Sequence, residues 1–345
     1  MDIFTNELYI FKPGKKARLV HKGSPLLASL VDSLRPILST LDHSELDTNR
    51  IRQSRLDLEC LDSYPFAQYI DIKDAFPSLN VGSLIKDNDE VLTFEEKKLL
   101  YEIYSSPIIN RHGESIIPEI PFARPGLSLS NTLMELALTP LFNEAPKYNI
   151  KILAYCDDIA LYAHTREDLQ NFLSFAAPLL QKIGLHFYDE SRPEKNSGAL
   201  DLSLSHHCGE RLGLFFYKQK GKVYSKLRTS TKKKYFSKLK KLNPSLPLEI
   251  NYEKIHNIFL GKNGLYHIFP HSIWTCPLDR RLFEITAFKI IKRRLNIKDM
   301  SSLELKNQIL KNGAFDVFNF SENFGWSCDL GTYENQPAPQ NTKES

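Results

Sequence analysis

The stretch KILAYCDDIALYAHT (151–165) places two adjacent aspartates between two apolar, strongly β-forming runs. This pattern predicts a hairpin with Cys156, Asp157 and Asp158 at its tip. Two neighbouring carboxylates cannot be buried there without cations, because desolvation penalises their charged forms. The tip is therefore either a solvated turn or a site for a hard cation such as Mg²⁺.

A second acidic strand end lies upstream, in YIDIKDAFPSLN. Asp71 comes near the end of the apolar run FAQYIDI (66–72), and Asp74 follows three residues later. A carboxylate from a neighbouring strand could face Asp157 and complete a site for two metal ions. One ion would activate an attacking hydroxyl and the other would stabilise a leaving pyrophosphate. The alternative is that Asp71 only caps its strand.

The composition of the 345 residues is that of an ordinary globular protein, with 42% apolar and 25% charged residues. Five cysteines without a CxxC pair indicate reduced thiols rather than a disulfide framework. No signal-peptide core and no apolar stretch of membrane-spanning length occur, so we expect a cytoplasmic protein with no membrane span. No GxGxxG follows a strand and no P-loop is present, which argues against the common nucleotide-binding folds.

Strands and helices mix without a regular βαβ alternation, which favours an α+β architecture. The helix after Thr165 has Asp168 at the capping-box position, Gly184 at its end and Pro178 inside, where we expect a kink or break. The other predictions are a strand pair with a Pro-Gly turn at 7–21, a helix at 25–41, a polar stretch at 42–64, a helix at 94–104, a loop at 124–131 leading into a helix, strands and a basic helix over 211–242, and further helices to about 330.

The order of these motifs resembles that of reverse transcriptases. Asp71 and Phe76 in DIKDAF resemble motif A, and YCDD (155–158) matches the YxDD of motif C. Between them, Gly126 and Ser130 match the glycine and serine of motif B. Four further segments resemble the fingers hairpin (KPGKKARLV), motif D (KIGLHFYDESRPEKN), the primer grip (RLGLFF) and a thumb segment (IFLGKNGLYHIF).

The resemblance spans roughly residues 8–300 and implies a right-hand polymerase fold. It divides the chain into fingers (1–65), a palm with an antiparallel sheet (66–210, with finger insertions around 84–122), a primer grip with a basic helical thumb (211–330) and a disordered tail (331–345).

Catalytic roles follow from the same resemblance. Asp71 and Asp157 would bridge two Mg²⁺ ions, or Mn²⁺ in their place, and Asp158 would support the site. The backbone carbonyl of Ile72 would be a further metal ligand. Lys195, near the place of the motif D lysine, would protonate the leaving pyrophosphate.

Nucleotide-binding roles fall on the fingers hairpin and motif A. Arg18 with Lys15 or Lys16 would clamp the triphosphate, for which a guanidinium offers bidentate geometry. A solvated basic hairpin is the alternative. Phe76 resembles the steric gate, whose ring leaves no room for a 2′-OH and so favours dNTPs. Its alternative is a core aromatic.

Motif B departs from the family pattern at one position. Gly126 would let the backbone approach the nascent base pair, and Ser130 would cap the following helix or contact the template. The family usually has glutamine before its glycine, whereas Pro125 stands here, after Arg124. The missing amide calls fidelity and template dependence into question, but the catalytic carboxylates remain.

Basic residues accumulate between 211 and 248, where there is no Asp or Glu. Such a stripe neutralises phosphates without reading sequence, although a charge run can also be only a solvated face. Its members are Lys218, Lys220, Lys222, Lys226, Arg228, Lys232, Lys233, Lys234, Lys238, Lys240 and Lys241.

We therefore expect an RNA-directed DNA polymerase that resembles the stand-alone bacterial reverse transcriptases of anti-phage defence, with retron-like enzymes next. The expected partners are a non-coding RNA template, dNTPs and the DNA product, with a partner protein or a second copy of the chain as further candidates. Two alternatives stay open: template-independent or protein-primed DNA synthesis at the same site, and a non-catalytic nucleic-acid-binding scaffold.

Overall fold

The computed structural model describes residues 3–10, 18–38, 50–88, 92–204, 206–260 and 275–312. They form two compact units: Met1–Lys234 with Leu260–Ile285, and Tyr235–Phe259 with Thr286–Ser345. The predicted tail (331–345) and most of the predicted thumb segment at 258–269 lie outside the described residues. Within the described part of the chain, no helix has both the length and the apolar character that a membrane crossing requires.

The described residues of the first unit form three sheets. The strands are β1 (Thr5–Ile10), β2 (Arg18–Gly23), β3 (Phe66–Asp71), β4 (Ile108–Ile109), β5 (Ser115–Ile116), β6 (Ile150–Tyr155), β7 (Asp158–Ala163), β8 (Leu200–Asp201), β9 (His207–Arg211), β10 (Leu214–Gln219) and β11 (Lys222–Leu227). Their orders in the sheets are β2-β1-β4-β5, β6-β7-β3-β8 and β11-β10-β9. The first sheet contains the predicted N-terminal strand pair.

Helices accompany these strands and continue into the second unit. They are α1 (Pro25–Leu38), α2 (Arg50–Ser63), α3 (Ala75–Ser78), α4 (Val81–Asp87), α5 (Phe94–Ser105), α6 (Leu129–Glu144), α7 (Arg166–Lys182), α8 (Thr229–Leu239), α9 (Leu248–Leu260), α10 (Pro277–Leu295) and α11 (Ser302–Lys311), with a 3-10 helix at Ala145–Tyr148. Helices thus mix with strands that pair mainly antiparallel, with β1 and β4 in parallel, which confirms the α+β prediction.

The β6-β7-β3-β8 sheet, here called the palm sheet, is buried on both faces. Ile70, Ile152 and Leu161 face the main apolar core, which also contains side chains of α1, α6 and α7. Because side chains alternate along a strand, Tyr69 and Tyr162 point to the other face. That second face packs against α2 and β9, and the catalytic candidates lie at the end of this sheet.

Two elements differ from the sequence-based expectations. The polar stretch at 42–64 contains α2, whose inward residues include the fully buried Gln53 and Asp57. In addition, α7 continues through Pro178, so the expected break does not occur there, and the kink stays a prediction. Its N-terminus is as predicted, because the Thr165 hydroxyl accepts a hydrogen bond from the Asp168 amide at 3.0 Å.

The second unit is helical among its described residues. Its buried side chains include Tyr252, Ile255 and Phe259 of α9. The Arg294 Nε donates to the carbonyl oxygen of Leu242 at 2.8 Å, which ties two segments of this unit together.

Candidate active site

The hairpin predicted for 151–165 is present, with its turn at Cys156 and Asp157. Strands β6 and β7 pair in antiparallel register, so that Tyr155 lies opposite Asp158. Cys156 adopts a left-handed conformation with φ 55°, as a two-residue hairpin turn requires. The turn places Asp157 at the tip and Asp158 at the first position of β7.

Strand β3 brings the upstream carboxylate to this tip. In the β3–β7 pair, Asp71 lies directly opposite Asp158, and opposed Cα atoms in such pairs are about 4.5–5.5 Å apart. The Ile72 amide donates to the backbone oxygen of Asp157 at 3.1 Å. The structure therefore brings Asp71, Ile72, Asp157 and Asp158 together, although they come from segments far apart in sequence.

The electrostatics of the tip favour a bound cation. Burial raises the pKa of Asp157, and the nearby Asp71 and Asp158 carboxylates raise it further. Burial also raises the pKa of Asp71, and a hydrogen bond donated by the Lys195 ammonium opposes this shift. Two desolvated carboxylates that repel each other are stabilised when a positive charge arrives between them.

The donor set fits a divalent ion with oxygen preference. Carboxylates at a strand end are the hard ligands that Mg²⁺ takes, and it usually binds one or two of them and completes its shell with water and substrate phosphates. Among the described residues, no group of three or more His, Cys, Asp or Glu side chains forms a ready-made metal cluster.

Lys195 reaches Asp71 because its segment runs alongside β3. The Asp71 amide donates to the Lys195 carbonyl oxygen at 2.7 Å, and Asn196 forms a bridge with Ile70. Asn196 is itself anchored, since its side-chain oxygen accepts from Gln68 at 2.9 Å. The ammonium of Lys195 pairs with the Asp71 carboxylate, and this hydrogen bond raises the pKa of Lys195.

Phe76 lies in the short helix α3, just beyond the end of β3 that carries Asp71. Asp74 before it has a left-handed backbone with φ 44°, which turns the chain out of β3. The Phe76 side chain is partly buried and packs against the main core. Its position is compatible with both the steric-gate and the core-aromatic interpretation.

The motif B loop is fastened to strand β2. The His21 amide donates to the Pro125 carbonyl oxygen at 2.6 Å. Gly126 has φ +105°, and a Cβ there would come within 2.7 Å of the His21 carbonyl oxygen. This clash shows that glycine is needed at 126 for packing between the loop and β2. Separately, burial and the nearby Arg124 lower the pKa of His21 to about 4, so the His21 ring is neutral at pH 7.

Ser130 does not cap helix α6. It is the second residue of that helix, Ser128 holds the N-cap position, and the Ser130 side chain is buried. The Ser130 hydroxyl donates to the Arg124 carbonyl oxygen at 2.8 Å and lies 3.0 Å from the Tyr104 hydroxyl. The cap prediction is wrong because the loop turns into the helix earlier, which draws Ser130 into the core.

Replacing Gly126 by alanine should destabilise the protein more than the same change at Gly113. Both glycines have positive φ, but a Cβ at Gly113 would meet nothing within 4 Å. Backbone strain should cost each variant roughly 1–3 kcal/mol, and the clash with His21 should cost Gly126→Ala about 1–3 kcal/mol more. Urea unfolding measures both free energies of unfolding. Equal losses would show that the contact between Gly126 and β2 is not tight.

The predicted triphosphate clamp is described only in part. Lys15 and Lys16 lie outside the described residues. The Arg18 backbone forms the first position of β2, opposite Ile10. Its role, and those of the two lysines, stay predictions.

A cationic cavity beside Asp71 was not anticipated from the sequence. It has a volume of about 470 Å³ and is lined by Lys73, His186, Phe187, Tyr188, Asp189 and Arg192. The cavity borders the end of β3, since the Tyr188 amide donates to the Asp71 carbonyl oxygen at 3.2 Å. Its basic residues come from two separate segments of the chain, so they form no cluster in the sequence from which the cavity could be predicted.

Several cations of the basic stretch 211–248 have partners in the structure that the sequence did not indicate. Arg228 pairs with Glu210 at 2.7 Å, and Lys232 pairs with Asp279. Lys226 lies over the rings of Phe215 and Tyr217, 4.6 and 5.1 Å from their centroids. Acids from outside the stretch thus neutralise some of its charge.

The geometry of strand-end carboxylates, hairpin and motif B loop agrees with what sequence comparison finds. The chain matches the reverse transcriptase (RNA-dependent DNA polymerase) family over residues 10–190. A comparison with curated proteins gave no significant match.

Solved polymerases share the fold. The chain superposes on a human picobirnavirus RNA-dependent RNA polymerase with an insertion loop deleted (TM-score 0.57, 15% identity, 94% of this chain and 63% of that one). It also superposes on telomerase from Candida albicans in complex with a TWJ fragment of telomeric RNA (0.53, 11%, 93% and 58%). Apo telomerase from Candida tropicalis is similar (0.51, 14%, 93% and 60%). The chain thus spans less than two thirds of each.

These matches define the class of the fold as that of right-hand polymerases, which confirms the predicted architecture. The chain belongs to the reverse transcriptase family, whose enzymes are RNA-directed DNA polymerases, a class of nucleotidyltransferases. Polymerases of this family use divalent metal ions.

Proposed function

We propose that this protein is an RNA-templated DNA polymerase that adds dNTPs to a primer 3′-OH with two Mg²⁺ ions. The observation that carries the proposal is the register of the palm sheet, which sets Asp71 opposite Asp158 and ties Ile72 to Asp157. When bound, the metal ions supply activation of the primer hydroxyl and charge stabilisation of the pyrophosphate.

The chain's own residues would divide the remaining work. Asp71 and Asp157 would hold the metal ions, and the burial of these carboxylates would strengthen their attraction for cations. Lys195 donates a hydrogen bond to Asp71. We propose that its ammonium would turn to the leaving pyrophosphate and would serve there as the proton donor.

We propose further that the cationic cavity beside Asp71 receives the polyphosphate end of the nucleotide or the released pyrophosphate. Lys73, His186 and Arg192 line it, and Arg192 also lies 5.7 Å from the centre of the Tyr188 ring. Arg18 with Lys15 or Lys16 would approach the phosphates from the fingers, as the family resemblance implies. Gly126 and Phe76 would border the nascent base pair and the sugar.

The biological setting we propose is bacterial anti-phage defence, in the cytoplasm, with a structured non-coding RNA as template. This step rests on resemblance to stand-alone bacterial reverse transcriptases. Template-independent synthesis at the same site is the second candidate, and Pro125 is the observation that favours it. Its carbonyl holds His21, and its ring offers no amide to a templating base.

Sequencing of the nucleic acids that co-purify with the protein from its host tests these proposals together. A templated enzyme should yield DNA complementary to one bound RNA, and this DNA should be absent from Asp157→Asn. Random or homopolymeric DNA would favour the second candidate. Identical DNA from both proteins would exclude synthesis at this site.

A further inference from the structure

Arg211 is a fully buried arginine that contacts a catalytic aspartate from behind the active site. It ends strand β9, and no part of its side chain is exposed. Its Nε donates to Asp158 Oδ1 at 3.1 Å, and its Nη2 donates to the Asp158 carbonyl oxygen at 2.9 Å. One guanidinium therefore holds both the side chain and the backbone of Asp158.

A second carboxylate fixes this guanidinium from helix α2. Arg211 Nη1 donates to both oxygens of Asp57, at 3.1 and 2.9 Å, and to Gln53 Oε1 at 3.3 Å. Asp57 is fully buried and also accepts a hydrogen bond from the Tyr162 hydroxyl at 2.6 Å. Burial raises the pKa of Asp57, while Arg211 and Tyr162 act in the opposite direction. The planar fork is thus held rigidly on its far side.

The backbone explains how β9 comes close enough for these contacts. Gly209 has φ +117°, and a Cβ there would lie 2.1 Å from the Tyr69 ring. Only glycine lets β9 rest directly on β3 at this point. Because side chains two apart share a face of a strand, Arg211 points to the same side as the Gly209 contact, toward the palm sheet.

We propose that Arg211, held by Asp57, is the positioning residue that fixes the Asp158 carboxylate for metal-dependent nucleotide transfer. This inference rests on the proposed function and extends it by two residues, Arg211 and Asp57, that do not touch the substrate. Asp158 keeps a partly exposed side chain, 31% accessible, while one of its oxygens is bound to Arg211.

A charge-balanced pair of substitutions separates positioning from simple stabilisation. Arg211→Gln alone leaves Asp57 buried without its cation and should lower both the melting temperature and the rate. Arg211→Gln with Asp57→Asn removes both buried charges, so the melting temperature should return most of the way to that of the unaltered protein. The kcat for dNTP incorporation should nevertheless stay about 10–100-fold low, with the KM for dNTP unchanged.

Mg²⁺-dependent thermal shifts give a readout that needs no activity. The quantity to measure is the Mg²⁺ concentration that gives half of the full Mg²⁺-induced rise in melting temperature. In the double variant this concentration should be at least about threefold higher than in the unaltered protein, because Asp158 must be ordered on binding. Arg211→Lys keeps a charge for Asp57 but loses the fork, so it should show the same loss of kcat if the double variant does not fold.

Recovery of kcat together with melting temperature in the double variant would overturn the proposal, as would an unchanged or lower Mg²⁺ requirement. Failure of the proposed function looks different. The unaltered protein would then incorporate no dNTP, and Asp157→Asn would behave like it in every incorporation assay. The Mg²⁺ shifts would still report on Arg211 in that case.

Discussion

Asp157→Asn should abolish dNTP incorporation, lowering the rate by roughly 10³-fold or more. Metal ions at such sites contribute several kcal/mol of transition-state stabilisation, and about 1.4 kcal/mol corresponds to a factor of ten in rate. Asp157 lies at the tip of the β6–β7 hairpin, with its backbone oxygen bound to Ile72. The amide keeps the shape of the side chain but loses the negative charge that binds the ions.

The same substitution should stabilise the metal-free protein. Burial and the neighbouring Asp71 and Asp158 raise the pKa of Asp157 in the folded state. An ionised carboxylate at this position therefore costs the folded state free energy, and its removal should raise the melting temperature. Because this cost is absent below the unfolded pKa and grows until the pH reaches the raised folded pKa, the gain should shrink toward acidic pH. Mg²⁺ should raise the melting temperature of the unaltered protein far more than that of the variant.

Asp201→Asn is the matched control. Asp201 pairs with Phe66 at the other end of β3, and its carboxylate accepts hydrogen bonds from the Ser203 amide and hydroxyl, at 2.9 and 2.5 Å. These bonds lower the pKa of Asp201, so its substitution should reduce stability slightly and leave incorporation intact. If Asp157→Asn retains full incorporation, the catalytic site lies elsewhere. If neither Asp157→Asn nor Asp201→Asn incorporates dNTPs, the result favours the alternative of a non-catalytic scaffold.

Asp157→Asn is expected to lower activity and to raise stability. A residue that costs stability in this way stands out in the sequence, which is why the centre of the candidate site could be predicted from it. Carboxylates between β-forming runs violate the local preference for burying apolar groups, and such violations concentrate at functional sites. The antiparallel register that sets Asp71 opposite Asp158 could be anticipated because the apolar runs fix which side chains face inward. Lys195 could be anticipated only through the family resemblance.

Helix α2 and its contact with Arg211 could not be predicted from the sequence. Its inward positions 53, 54 and 57 have helical spacing, but they carry Gln53, Ser54 and Asp57, so the periodicity of apolar residues gives no signal. The partner that makes this polar face stable, Arg211, lies more than 150 residues away. Pairing across such a separation depends on the fold itself. The prediction that Ser130 caps α6 was wrong for a related reason, because the burial of Ser130 depends on its contacts with Arg124 and Tyr104.

Phe76→Ala should relax sugar selection without abolishing DNA synthesis. If the ring borders the nucleotide sugar, its removal makes room for a 2′-OH. The ratio of kcat/KM for a dNTP to that for the matching NTP should then fall by about 10–200-fold, the range that one shape contact in an apolar pocket supplies. The position of Phe76 in α3, directly beyond the end of β3 that carries Asp71, supports this expectation.

Phe175→Ala distinguishes this role from that of a core aromatic. Both rings are partly buried against the same apolar core. Phe175 stacks on Tyr148, with ring centroids 5.3 Å apart, and Tyr148 precedes the end of β6 that lies away from the hairpin tip. Both alanine variants should lose stability, since both shed apolar contacts. Only Phe76→Ala should change the ratio of dNTP to NTP use. A ratio that stays constant while stability falls would assign Phe76 to the core.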